Sequence, residues 1–224
     1  DSLTRIGDEF DCKELPLTVT YRCPLAVVSY ARQWVGHLEA APGAPEGAVH
    51  DLGTRWDPSI FYPNDLVVCR TTRNLVALAY KLIQAKVPAR IMGREIGQGL
   101  VKLVQRMKAT SIDDLTEKLA QWQIRESEKA LAKQDDAKVE RISDQAAAVR
   151  CIADSLDEDS RSIPALCRVI ESLFDNPGEA VVLATIHKAK GLEAERVYWL
   201  NRSKCPSKWA RQPWQKKQEA NLCY

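Results

Sequence analysis

Three short apolar runs in this sequence are each followed at once by cations, hydroxyls or an aromatic ring. After residues 17–20 come Tyr21 and Arg22, and after residues 66–69 come Arg70, Thr71 and Thr72. After residues 181–185 come His187, Lys188, Lys190, Gly191 and Glu193. Arginine offers forked donors for phosphate oxygens. Tyrosine offers a face for a base, and a glutamate can accept a hydrogen bond from a ribose hydroxyl. Together these types suit a site for phosphates, a base and a sugar. Singly each is weak, because surface arginines after strands are common and Tyr21 could be a packing residue.

Such residues converge only if the runs are strands of one sheet, with ligands bound beyond their carboxyl ends. Residues 66–69 and 180–185 are continuous apolar runs, as in strands buried on both faces. The sequence predicts further strands over 15–20, 89–93 and 196–200. Pro24 opens a helix that fades by about residue 40, and the Pro- and Gly-rich stretch 41–53 reads as a loop. Helices are predicted after residue 72 with Leu75, Leu78, Ala79 and Leu82 on one face, over 97–108, over 163–174 with Asn176-Pro177-Gly178 as its end, and from 215 to 224. Residues 186–194 read as a basic loop and 201–212 as irregular. Alternating strands and helices make the fold class α/β, with a mostly parallel sheet.

Between them the texture changes. Ser111-Ile112-Asp113-Asp114 is a helix start, with acids in its first turn. Apolar residues then recur at helical spacing to Leu156, with Gln134-Asp135-Asp136 as a turn. Two antiparallel helices forming an inserted arm, or one long helix, fit this pattern.

The chain has 224 residues and a formal net charge of +2. That excludes binding of polyanions by bulk charge. The total hides a partition. Residues 111–161 carry 8 basic and 13 acidic side chains, a net of −5, whereas 181–217 carry 9 and 2, a net of +7. A local basic stretch can bind phosphates, or be a solvated face. Trp199, Trp209 and Trp214 lie in or near it, where base stacking beside cations is one use and core packing another. No apolar run is long enough for a membrane span. The seven cysteines include no C-x-x-C pair. This points to reduced thiols in a cytoplasmic protein rather than to disulfides or zinc.

Thr185-Ile186-His187-Lys188-Ala189-Lys190-Gly191-Leu192-Glu193 resembles motif V of the UvrD/Rep/PcrA-type superfamily 1 DNA helicases, T-x-H-x-x-K-G-L-E. Leu17-Thr18-Val19-Thr20-Tyr21-Arg22-Cys23-Pro24 resembles their motif IV, L-x-x-N-Y-R-S, with Thr20 and Cys23 at the usual Asn and Ser. Residues 66–72 resemble the intervening strand that ends in Arg-Thr. Glu219-Ala220-Asn221-Leu222-Cys223-Tyr224 resembles the opening of motif VI, and the sequence stops before that motif's arginine. In order and spacing the four resemble the second RecA-like domain of these enzymes.

The resemblance implies a second RecA-like domain over 1–110 and 162–224, interrupted by a helical hairpin at 111–161, a reduced counterpart of the family's insertion subdomain. It implies that Tyr21 stacks on adenine, that Arg22 contacts the γ-phosphate and acts catalytically, that Glu193 holds the ribose, and that Gly191 lets the backbone approach the nucleotide. Arg70, Thr71, Thr185, His187 and Lys188 are implied contacts for single-stranded DNA, though His187 also reads as a structural histidine. The cofactors implied are ATP and Mg²⁺, the latter held mainly by a first RecA-like domain of the same parent protein. That domain is the implied intramolecular partner; the acidic hairpin is a candidate site for a protein partner.

No Gly-Lys pair occurs, so the chain lacks G-x-x-x-x-G-K-[ST] and its phosphate cradle. No apolar strand ends in Asp-Glu. The expectation is therefore a fragment, inactive in ATP hydrolysis alone, from an ATP-dependent helicase or translocase that travels 3′-to-5′ by resemblance. The alternatives are a degenerate helicase-like module that binds DNA or protein without turnover, or part of a helicase–nuclease.

Overall fold

A computed structural model describes residues 2–11, 17–175 and 178–223. Compactness divides the chain into Asp1–Gly53 with Cys223–Tyr224, and Thr54–Leu222.

The smaller unit begins with α1 (Ser2–Phe10). It contains a two-stranded parallel sheet of β1 (Val19–Thr20) and β2 (Glu39–Ala40), joined through α2 (Leu25–Ala31). Two expectations are corrected here. Of the strand predicted over 15–20, only Val19 and Thr20 pair; residues 15 and 16 lie outside the described residues. The helix expected to reach about residue 40 ends at Ala31. Trp34 N and Leu38 N donate to carbonyls three residues back, and Arg32 Nε donates to Leu38 O at 2.8 Å. These tighter bonds turn the chain and release Glu39 and Ala40 to pair with β1. In the loop that follows, Gly47 has φ +65°, and a Cβ there would fall 2.4 Å from Pro24 Cβ. Only glycine fits that contact.

The larger unit is built on a four-stranded, wholly parallel sheet. Its strands are β3 (Leu66–Cys69), β4 (Ala89–Ile91), β5 (Val181–Thr185) and β6 (Val197–Trp199), in spatial order β4-β5-β3-β6. This α/β arrangement follows from the apolar runs: Val67, Cys69, Val181, Leu183 and Ala184 have no exposed surface, as central parallel strands require. The strand 17–20 belongs to the other sheet, so β3 and β5, not three strands, share the chemistry-bearing edge.

The helices of this unit are α3 (Thr72–Gln84), α4 (Arg94–Arg106), α5 (Ile112–Ala132), α6 (Asp136–Asp154), α7 (Ile163–Phe174), α8 (Ile186–Ala189) and α9 (Pro213–Leu222). The end expected for α7 at 176–177 lies outside the described residues, as does Tyr224 at the end expected for α9. The basic loop expected at 186–194 begins instead as α8, because Thr185 Oγ1 accepts from Lys188 N. Among the described residues, no helix is long and apolar enough to cross a membrane.

Residues 111–157 form two helices. Asp114 N donates to Ser111 Oγ, and Thr110 N returns a bond to the Asp114 carboxylate. That reciprocal cap fixes the start of α5. The turn carries Gln134 at φ +55°, and Asp135 then caps α6 through Lys138 N. The pair packs onto the rest of this unit. Leu115, Leu119, Trp122, Val139, Ile142 and Ile152 are buried in one core with the sheet, α3, α4 and α7. Leu119 has no exposed surface, and Leu119→Ala is expected to cost about 3 kcal/mol in a denaturant titration of the whole chain.

Candidate functional site

The register sets Cys69 beside Thr185, so the residues after β3 and β5 leave the sheet side by side. Arg70 comes first. Its Nε donates to both Glu219 oxygens at 3.2 and 3.1 Å. Its Nη2 donates to Glu219 Oε1 at 2.7 Å and to Glu140 Oε2 at 2.9 Å. Ser207 closes the ring: its N–H donates to Glu219 Oε2 and its hydroxyl to Glu140 Oε1, both at 2.7 Å. Thus β3, α6, α9 and the segment before α9 meet at one guanidinium. Burial alone would raise the Glu219 carboxyl, but the bonds from Arg70 and Ser207 outweigh it and hold the group below its ordinary value. Arg70 loses hydration too, yet the two carboxylates raise it further above its ordinary value.

Thr71 sets the N-cap geometry of α3 without a side-chain bond. The cap comes from the hairpin. Asp144 of α6 accepts from Thr72 N at 2.8 Å and from Arg73 N at 3.0 Å. A carboxylate is favoured there both as acceptor and by the helix dipole. Asp144→Ala should lower stability by about 1–2 kcal/mol in thermal unfolding, with Asp144→Asn retaining most of it.

Thr185 is buried, and its hydroxyl is the acceptor for α8. His187 follows, beside a cleft of about 320 Å³ that Gln218, Glu219, Asn221 and Leu222 also line. Loss of hydration, then the Arg70 charge, push its imidazole below the ordinary value, against the pull of Glu219 and Glu140. Lys188 pairs with Glu95 of α4, and this bond holds the Glu95 carboxyl low. Gly191 adopts φ +87°, a backbone state that favours glycine, and a Cβ there would meet nothing within 4 Å. Glu193 is exposed.

Neither the protein-family models nor the curated proteins yielded a match to this chain.

Arg70, Thr71, Thr185, His187 and Lys188 thus share one sheet edge in the larger unit, with Gly191 and Glu193 on the segment leaving it. Tyr21 and Arg22 belong to the smaller unit, in the turn after β1, with Tyr21 86% exposed. Sequence reasoning gave no role to Glu140, Ser207 or Glu219. Glu219 carried a signal, as the first residue of the stretch that resembles the opening of motif VI. Glu140 carried none, because it lies 70 residues from Arg70. Among the described residues, no three His, Cys, Asp or Glu side chains converge as metal ligands. Among the described residues the cysteines form no disulfide, and Cys12 lies outside the described residues.

Proposed function

We propose that this chain is the second, RecA-like motor domain of an ATP-dependent DNA helicase or translocase of superfamily 1. The observation that carries the reading is placement. The stretch from Thr185 to Glu193 leaves the carboxyl end of a buried parallel strand, in register with the strand that delivers Arg70 and Thr71. Ligands of parallel sheets bind at that edge.

In this reading Arg22 neutralises charge on the transferring phosphoryl group, Tyr21 stacks on the base, and Glu193 accepts from the ribose. The residues present suit those roles. The Tyr21 ring is exposed, and nothing crowds the place of a Cβ at Gly191. His187, Thr71 and Lys188 face single-stranded DNA at the sheet edge. Lys188 must then exchange Glu95 for a phosphate, whereas Arg70 holds the edge together. ATP would supply the driving force and Mg²⁺ the neutralisation of its phosphates, with a first RecA-like domain of the parent protein carrying the phosphate loop. Direction of travel, 3′-to-5′, rests on resemblance.

The test is ATP hydrolysis, with and without single-stranded DNA, by the polypeptide extended to include its phosphate-loop domain. DNA-stimulated turnover in the extended polypeptide and none in the 224-residue chain is the expected result. An extended polypeptide that binds DNA without turnover would replace this reading with a binding module.

A further inference from the structure

Beside the Arg70 ring lies a second cleft, of about 110 Å³, at the start of α9. Trp209 and Trp214 both line it, with Glu140, Glu219 and Gln218. Trp214 is 61% exposed, a large surface for an indole with no function in the core. Trp209 is partly buried, with the Lys208 ammonium 5.5 Å from its ring centre. The stretch 201–218 around them carries Arg202, Lys204, Lys208, Arg211, Lys216 and Lys217 and no acid. All six cations are exposed.

We propose that this cleft is a base-stacking site for single-stranded nucleic acid, with Trp214 as its platform and the surrounding cations as its phosphate track. It rests on the motor reading for the class of its partner, and names where on the chain a strand's bases would be held. The chemistry is complementary at each level. An exposed indole gains from a base's π face whatever its identity. Six exposed cations draw in a phosphate chain and release its counterions. The two carboxylates that line the cleft are bonded to Arg70 and Ser207, and the guanidinium offsets one of their two charges. The Glu140 carboxylate, which accepts two of these bonds, keeps acceptor capacity for an amino group on a base edge. A duplex keeps its base faces stacked and hidden, so a single strand is the fitting form.

The test is fluorescence anisotropy of the 224-residue chain with labelled oligo(dT) and oligo(U) of about 16 nucleotides, long enough for one site. ATP is left out, so the outcome is independent of turnover. Tighter binding of either strand identifies it as DNA or RNA and supports the site. Trp214→Ala should weaken binding about tenfold or more, while Trp214→Phe keeps most of it. Lys216→Ala with Lys217→Ala should flatten the salt dependence by about 0.7 per lost phosphate contact. Unchanged affinity in Trp214→Ala would overturn the proposal, as would equal binding of an abasic strand or no binding by the wild type. In each of those cases the ATP-hydrolysis test stands by itself. Circular dichroism of the Trp214 variants confirms folding, which an exposed side chain should not disturb.

Discussion

Arg22→Ala is expected to lower DNA-stimulated ATP turnover by about three orders of magnitude in the polypeptide that also carries the phosphate-loop domain. That is the size of effect when a transition-state arginine is removed from a phosphoryl-transfer site. The loss should fall on kcat, since charge on the transferring group develops only as the reaction proceeds. On the proposed reading, affinity for nucleotide should change less, because the arginine acts on charge that appears only in the transition state. Arg22→Lys should recover little, as an ammonium cannot supply the forked pair of donors. Arg22 is exposed in the turn after β1, so folding should survive, and thermal unfolding of the variant provides the control. Wild-type turnover in Arg22→Ala would remove the arginine from the proposed mechanism and with it the main functional claim of the resemblance over 17–24.

The second large effect concerns the ring around Arg70. Glu219→Ala removes three of the four hydrogen bonds that Arg70 makes to carboxylates and the acceptor for Ser207 N. Arg70 stays behind, its side chain 14% exposed, with Glu140 as its remaining carboxylate. Breaking one side of a buried pair leaves a charge that is neither hydrated nor matched, and costs about 3 kcal/mol. Guanidinium titration of the whole chain measures it. Arg70→Met with Glu219→Leu should cost less than Glu219→Ala, since no buried charge then remains. The same carboxylate sets an acid limit. Its folded value lies below the unfolded value near 4.5. Its contribution is therefore complete above that value and is lost as pH falls through the folded one. Glu219→Gln should flatten the acid side of the stability profile. An acid limb as steep as the wild type's would show that other carboxylates govern it.

The ring also bears on function. Arg70, expected to meet DNA, has its guanidinium at the junction of β3, α6 and α9. A hairpin that reads as an acidic insertion thus supplies a ligand, Glu140, to the edge where the motif residues gather. It also caps α3 through Asp144.

The strands of the main sheet were legible because burial on both faces demands unbroken apolar runs, and 66–69 and 181–185 are such runs. The start of α5 was legible because Ser111 sits where unpaired amides need an acceptor. The hairpin was legible from its period and its turn. Residues that follow strands could be named for the same reason, since a parallel sheet sends them all to one edge.

What the sequence could not determine depends on pairs far apart in the chain. The helix after Pro24 had no marked stop, and the bonds of Trp34 N and Leu38 N to carbonyls three residues back, with that of Arg32 to Leu38 O, turn it. The run 17–20 looks like any other strand until β2 takes it as a partner. The sequence reads the hairpin as an inserted arm whose acids outnumber its bases. Its apolar face is buried in the core of the larger unit, and two of those acids, Glu140 and Asp144, bond to Arg70 and to the amides of α3. Local pattern records which groups need partners; only the tertiary structure, which joins positions 70, 140, 207 and 219, decides which partners they receive.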